Sequence, residues 1–147
     1  VEDTRFQPPP YRFEAGTPHF LGAVGFAAAV DHLGQVGLEQ AAREEQTLAR
    51  ALWEGLRAIP EVELPVAGPP QAGIVSFTLP PFHPYDVALL LDQQGVAVRS
   101  GTHCAHPLFD ALGMPQGVVR ASLGLYNTLE DVERLCRALR RVAAIKL

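Results

Sequence analysis

Three short apolar runs in the second half of the chain constrain the fold more than any other feature of the sequence. They read GIVSFTL (73–79), VAVR (96–99) and GVVRASL (117–123) and are rich in β-branched residues. Runs of this kind, bounded by Gly and Pro, are typical of β-strands. Because helical segments lie before, between and after them, we predict one α/β domain. Its architecture is expected to be a two-layer α/β sandwich, in which helices pack on one face of a small mixed or antiparallel sheet.

Two long helices are predicted before the first strand. Residues 20–33 (FLGAVGFAAAVDHL) are apolar nearly all round, which favours a helix packed closely on several sides. Residues 38–59 carry an apolar stripe at helical spacing, and Pro60 ends this second helix. The opening of the chain has three consecutive prolines and no period. We therefore expect an extended segment at 1–18 and a single α/β domain at 19–147.

Two further helices are predicted later in the chain. The segment 80–95 has prolines near its start and Gly95 as a left-handed stop. The closing helix is expected to begin after Thr128, with Asp131 completing a capping box. Cys136 lies on the apolar stripe of this closing helix, and buried free cysteines are common, so we predict that it packs in the core.

Composition narrows the classes of function. The chain has 147 residues, of which 48% are hydrophobic and 19% charged, as in a soluble globular domain. No apolar run approaches the roughly 20 residues of a membrane span, so we expect no membrane insertion. A net charge of -4 without a basic stripe argues against nucleic acid as a partner. Two cysteines are too few for a disulfide framework and no secretory signal is recognisable, which favours the cytoplasm.

The stretch VAVRSGTHCAHPLF (96–109) places Cys104 between two histidines, in a segment marked by Gly and Pro. A cysteine reacts as its thiolate, which requires partial exposure and nearby positive charge. Arg99 and His103 are close enough in sequence to supply that charge. Free cysteine is also among the most frequently buried residues. The residues alone therefore leave Cys104 open between a reactive thiol and a buried, inert one.

His103, Cys104 and His106 also have the donor types that zinc prefers. Three ligands within four residues still require a distant fourth for a tetrahedral site, so the spacing argues only weakly for zinc and we predict no metal. A Cys/His/Asn protease site has no better support. The chain has a single asparagine, Asn127, and GTHC matches no nucleophile signature with a physical rationale.

Arg120 is the only charged residue in the third apolar run. A guanidinium among apolar neighbours needs an anionic partner, and its planar fork suits a carboxylate. The partner is either one of the sixteen acidic residues of the chain or the carboxylate of a ligand. The sequence by itself does not choose between an internal salt bridge and a binding site.

Three motifs in the same order resemble those of one enzyme family. They are RFEAGTP (12–18), VAVRSGTHCAHPL (96–108) and VRASLGLYNT (119–128). Together they are similar to the C-terminal third of a SufS-type cysteine desulfurase, a class V aminotransferase-like PLP enzyme of fold type I. The resemblance covers nearly all of the chain. Within that superfamily, the cysteine in the R-x-G-x-x-C-x-x-P loop points to desulfuration.

The resemblance implies a role for five residues. Cys104 matches the nucleophile that takes sulfur from the substrate, L-cysteine, which leaves alanine and a persulfide on Cys104. Arg120 matches the arginine that holds the substrate carboxylate, and Arg99 matches the arginine that begins the loop and lines the site. His103 matches the histidine before the nucleophile, and we expect it at the substrate site without assigning it a proton transfer. Thr17 matches a threonine that reaches the phosphate of pyridoxal 5′-phosphate (PLP) in the opposite subunit of the family's homodimer.

The sequence also departs from the family pattern. Thr102 and His106 stand where relatives commonly carry other residues, and the interval from Cys104 to Arg120 is longer than in some relatives. The family further needs a lysine that carries PLP, an aspartate at the pyridine nitrogen and a histidine over the ring, all upstream in a large domain. Those motifs are not in this sequence, whose single lysine is Lys146. We therefore expect this chain alone to be inactive.

Three interpretations of the chain stay open. It is the small domain of a longer desulfurase, which the abrupt start at VEDTRFQPPP favours. It is one half of a split enzyme. Or it is a stand-alone, non-enzymatic module that relays sulfur through Cys104 or binds a partner. For the enzyme, the resemblance implies a homodimer and a sulfur-acceptor protein that serves the assembly of iron-sulfur clusters or related cofactors.

Overall fold

The computed structural model describes residue 3 and residues 5–145, and Lys146 lies outside these described residues. The chain divides into two units, Val1–Leu38 and Glu39–Leu147. This division differs from the boundary predicted after residue 18. The reason is that the first long helix buries none of its residues and therefore groups with the opening segment.

The first unit contains a 3₁₀ turn, Tyr11–Phe13, and helix α1, Phe20–Val36. The predicted close packing of α1 on several sides is not found among the described residues, because the large apolar side chains of this helix are exposed: Phe20, Leu21, Val24, Phe26, Val30, Leu33 and Val36. Within the described chain, no single helix is long and apolar enough to cross a membrane. Helix α1 and the helix that follows it, Leu38–Arg57, meet that criterion only when they are taken together as a bent pair.

Four helices and one sheet make up the rest of the fold. The helices are α2 (Leu38–Arg57), α3 (Pro84–Asp92), α4 (His106–Ala111) and α5 (Leu129–Ala143), and the strands are β1 (Ile74–Phe77), β2 (Arg99–Gly101) and β3 (Val118–Ser122). The strand order is β1-β3-β2, and β3 pairs antiparallel with both neighbours. The prediction of an α/β fold with a small antiparallel sheet is confirmed.

The two faces of the sheet have different surroundings. One face carries alternate residues of β1 and β3 into a core shared with α2, α3 and α5, and these are Val75, Phe77, Val119 and Ala121. Because side chains alternate along a strand, the residues between them point to the opposite face. That opposite face presents a row of three register partners, Ser76, Arg120 and Arg99. We call this opposite face, which carries both arginines of the sheet, the polar face.

The second strand lies later in the chain than predicted. The prediction placed it at 96–99, whereas β2 begins at Arg99 and ends at Gly101. Its position follows from pairing, since Arg99 lies opposite Arg120 and Gly101 lies opposite Val118. Val96, which the prediction assigned to the strand, is buried in the core.

The closing helix α5 forms as predicted. The backbone N–H of Thr128 donates to Asp131 Oδ2 at 2.9 Å, which is the reciprocal half of a capping box. This hydrogen bond is the main cause that holds the pKa of Asp131 below its usual value. Cys136 is 5% exposed within the core, so the prediction that it packs there is confirmed.

Candidate active site

Cys104 lies at the tip of a tight turn that follows β2. The backbone N–H of Ala105 donates to the carbonyl oxygen of Thr102 at 2.8 Å, so His103 and Cys104 occupy the two central positions of a four-residue turn. The thiol is exposed and forms no disulfide. The alternative of a buried, inert thiol is thereby excluded.

The backbone of this turn is strained. The φ angles of His103 and Cys104 are 50° and 61°. These values lie in the left-handed region, which residues with a Cβ rarely adopt. Each such residue costs on the order of 1–3 kcal/mol and persists where the surrounding structure enforces it. Helix α4 begins at His106, two residues after Cys104. The surrounding structure, rather than the backbone preference of His103 and Cys104, therefore fixes the position of the thiol.

His103 anchors the turn to the rest of the fold. Its ring lies against Phe109 of α4, with the centroids 6.3 Å apart and the planes inclined at 58°. A hydrogen bond also links the ring to the backbone of Val118 in β3. Phe109 and Val118 are both buried, yet neither belongs to the main core. His103 thus connects α4 to the polar face of the sheet directly beside Cys104.

Gly117 allows β3 to approach the turn closely. This residue has a φ of 74°, and a Cβ on it would overlap the backbone of Gly101 and Thr102. Only glycine fits such a position without a shift of one of the two segments. This requirement was not predicted from the sequence, in which Gly117 was assigned to the first position of the third strand.

Arg99 and Arg120 place two positive charges side by side on the polar face of the sheet. They occupy opposed positions in the β2–β3 register, and opposed residues of antiparallel strands point to the same side. Neither forms an ion pair with any carboxylate of the described residues. An internal salt bridge for Arg120 is therefore not formed within that part of the chain, and the pair is available to an anion.

The two guanidinium groups act on His103. Burial lowers the pKa of His103 most, and the charges of Arg120 and then Arg99 lower it further, against the hydrogen bond to Val118, which raises it. The His103 ring is therefore neutral at pH 7. Its Nε2 is buried without a hydrogen-bond partner among the described residues, and so is Nε of Arg120.

Thr102 and His106 flank Cys104 and contact each other. Thr102 Oγ1 lies 3.3 Å from His106 Nδ1 and 3.1 Å from His106 Nε2. These are the two positions at which the sequence departs from the family pattern. Their contact across the base of the turn was not foreseen from the sequence, since nothing in the spacing specified it. No three or more His, Cys, Asp or Glu side chains of the described chain are grouped to hold a metal ion.

Thr17 belongs to the first unit, Val1–Leu38, and lies between the 3₁₀ turn and α1. Gly16, directly before it, has a φ of 78°. The Thr17 side chain is exposed and has no hydrogen-bond partner among the described residues. The four other predicted site residues all lie in the second unit, on β2, β3 and the turn between β2 and α4.

A groove in the second unit lies away from the turn. It encloses about 890 Å³ between α2 and the proline-rich loop, and its lining includes Arg43, Arg50 and Pro70. It contains none of the groups that carry reactive chemistry here.

Comparison with known proteins places these features in a family. The model of the class-V aminotransferase family matches residues 1–135. The chain belongs to the class-V aminotransferase family. A cysteine desulfurase from Klebsiella pneumoniae strain 342 is 46% identical over 143 residues, which are 97% of this chain and 34% of that protein. The chain thus spans about a third of the length of the curated relatives it matches.

Solved structures agree with this membership of the class-V aminotransferases. The apo cysteine desulfurase from Thermococcus onnurineus NA1 is 41% identical, with a TM-score of 0.85 over 97% of this chain and 36% of that one. A variant of the cystine C-S lyase C-DES with glycine covalently linked to its PLP cofactor is 26% identical, with a TM-score of 0.74. That match covers 99% of this chain and 34% of the lyase chain. The fold is therefore that of fold type I PLP enzymes.

Proposed function

We propose that this class-V aminotransferase chain is the persulfide-forming and substrate-holding part of a PLP-dependent cysteine desulfurase with the full length of its relatives. The observation that carries the proposal is the exposed Cys104 thiol, which lies in a strained turn directly after His103. This turn follows β2, the strand on which Arg99 lies opposite Arg120. The names of the relatives support the same reaction.

Arg120 binds the carboxylate of L-cysteine. Its guanidinium is half-buried and faces no described carboxylate, so its attraction for a ligand anion is neither fully screened by water nor satisfied internally. Arg99, exposed beside it, adds a second positive charge that favours an anion and lines the site. His103 lines the same site as a neutral group and leaves the charge of the pair uncompensated.

Cys104 accepts the sulfur. Its Sγ forms a bond to the sulfur of the bound L-cysteine, and the bond between that sulfur and the substrate's Cβ breaks. The electron pair of the broken bond stays with Cβ, which takes up a proton and becomes the methyl group of alanine. Sulfur is thereby oxidised to the persulfide level while the carbon is reduced, so the products are alanine and a Cys104 persulfide and no external oxidant is required.

The described residues are compatible with PLP as the cofactor. When bound, PLP supplies an electron sink for bonds made by the α-carbon of an amino acid. Thr17 would hold its phosphate, since the exposed Thr17 hydroxyl has no described partner and can donate to a phosphate oxygen. The lysine that carries PLP, the aspartate and the stacking histidine that the family needs would come from the remaining length of the full protein.

The partners and location belong to the same proposal. Exposed apolar residues on the first unit, among them Phe20, Leu21 and Phe26, support a homodimer in which they are covered. The exposed thiol at the turn tip can hand sulfur to an acceptor protein for iron-sulfur cluster or related cofactor assembly. A free, exposed cysteine that must stay reduced supports a cytoplasmic location.

The test uses the protein of full length with PLP and L-cysteine. We expect alanine to form, Cys104→Ala to abolish sulfur transfer while PLP stays bound, and Cys136→Ala to retain turnover as the matched control. If Cys104→Ala turns over cysteine like the wild type, the chain belongs to a related PLP lyase instead. If the wild type forms no alanine but accepts sulfur on Cys104 from a donor persulfide, the chain is a non-enzymatic sulfur relay.

A further inference from the structure

Two buried nitrogens at the site have complementary roles that the structure leaves unused. His103 Nε2 and Arg120 Nε are both buried and both without a hydrogen-bond partner among the described residues. An arginine Nε always carries a hydrogen and donates, whereas a neutral imidazole has one nitrogen that accepts. Each unpaired group has lost the hydrogen bond that it makes with water in the unfolded chain, so a bond between the two would compensate both losses at once.

The positions of the two side chains bring them to the same part of the sheet. The His103 ring is bonded to the backbone of Val118, and the charge of Arg120 is the strongest that acts on the ring. Val118 and Arg120 are two apart on β3, so their side chains share a face at a spacing of about 7 Å. Among the groups that face the ring, Arg120 on β3 and Arg99 on β2 are charged, and Phe109 on α4 is apolar.

The pattern of contacts also indicates which ring nitrogen is the acceptor. Nε2 has no hydrogen-bond partner among the described residues, and the Val118 backbone raises the pKa of His103, as a carbonyl oxygen does when it accepts from the ring. We therefore assign the proton of the neutral ring to Nδ1, which leaves the lone pair of Nε2 free to accept.

We propose that His103 is a positioning residue for Arg120: its Nε2 accepts the Nε–H of Arg120 as the site closes on the substrate carboxylate. This inference rests on the proposed function. The bond occupies the one guanidinium nitrogen that does not belong to the terminal fork, so both terminal nitrogens stay free for the two carboxylate oxygens. Because Cys104 directly follows His103, the same bond sets the thiol relative to the bound substrate.

Two amide variants separate this role from simple support of the turn. In His103→Gln the side-chain oxygen reaches about as far as Nε2, whereas in His103→Asn it reaches only as far as Nδ1, and asparagine tolerates the left-handed backbone better. In the full-length enzyme we expect His103→Asn to raise the KM for L-cysteine by about five- to tenfold. His103→Gln should stay within about twofold of the wild type, with kcat changed less than KM in both. If His103→Asn matches the wild type while His103→Gln is impaired, or if the two variants are impaired equally, the positioning role is wrong.

A second measurement does not depend on turnover. In the ¹⁵N-labelled full-length protein without PLP, with L-alanine as the carboxylate probe, the Arg120 Nε–H signal should exchange slowly with water in the wild type and in His103→Gln. It should exchange rapidly in His103→Asn. Equal exchange in all three proteins overturns the inference. Because this readout needs no cofactor, it can fail while the desulfurase activity is confirmed, and it can succeed while that activity is absent.

Discussion

Arg99 and Arg120 face each other across the β2–β3 pairing, on the polar face of the sheet, opposite the core that the sheet shares with α2, α3 and α5. Like charges at directly opposed positions destabilise a sheet unless an anion lies between or above them. The ion pairs found in the described chain use other residues, Asp3–Arg5, Glu39–Arg43 and Glu133–Arg137. The loss of stability that these two like charges cause is consistent with selection for anion binding.

Replacement of Arg120 by lysine should weaken substrate binding. Lysine keeps the charge but has no planar fork, so one arm of a two-point contact with the carboxylate is lost. We expect the KM for L-cysteine to rise by an amount that corresponds to about 1.5–3 kcal/mol. Steady-state kinetics of the full-length enzyme measure this. Arg137→Lys on α5, where the arginine pairs with Glu133 away from the turn, is the control and should leave KM unchanged. An unchanged KM in Arg120→Lys would count against its carboxylate role.

The two cysteines should differ sharply in reactivity. Cys104 is exposed, whereas Cys136 is buried and burial is the main cause that raises the pKa of its thiol. Iodoacetamide at pH ~8 should therefore label Cys104 first and reach Cys136 only on unfolding. Peptide mass spectrometry of the labelled protein gives both rates. Equal labelling of the two residues in the folded protein would refute the buried position of Cys136.

A pair of glycine substitutions tests the close approach of β3 to the turn. Gly117 and Gly113 have similar φ values, 74° and 68°, but a Cβ on Gly113 meets nothing within 4 Å. Both alanine variants carry the same backbone penalty, of about 1–2 kcal/mol. Gly117→Ala should lower the free energy of unfolding by about 1–3 kcal/mol more, because its Cβ overlaps the backbone of Gly101. Urea unfolding of the two variants measures the difference, and equal losses would show that the two segments do not meet.

The neutral state of His103 predicts a pH dependence of stability. Its pKa in the folded protein lies below the ordinary value of 6.5. The unfolded chain therefore binds the proton more readily, and the stability contribution of His103 is present above pH 6.5. It is lost as the pH falls from there through the lowered folded pKa. Urea unfolding from pH ~5 to pH ~7.5 should show a shallower slope in His103→Gln than in the wild type. An identical slope would mean that the ring is not held neutral.

Features with a local cause could be predicted from the sequence. Three such features depend on spacing within one segment, and the structure contains all of them. They are the apolar stripe of α2 before Pro60, the Thr128–Asp131 cap and the burial of Cys136. The strand at 96–99 was misplaced for the opposite reason. Its position is set by pairing with β3, and an apolar run alone does not distinguish a strand from a core-packed approach to one.

The candidate site was predictable in its residue types but not in its geometry. Sequence spacing could not show that Arg99 lies opposite Arg120, since the strands that carry them are separated by the turn and α4. It also could not show that His103 and Cys104 are both left-handed, because positive φ is uncommon for any residue other than glycine and two such residues in succession depend on the surrounding fold. Similarly, α1 looked like a core helix because its sequence is apolar on all sides, although the described chain leaves it exposed.

The central claim is that the Cys104 thiol receives the sulfur of L-cysteine. The most direct measurement incubates the full-length, PLP-loaded protein with L-cysteine, blocks free thiols and determines the mass of the peptide that contains Cys104. The account predicts a peptide that is heavier by one sulfur atom, with that mass lost on reduction, and no such change on the peptide that contains Cys136. Alanine production with an unmodified Cys104 peptide at every time point would contradict the account.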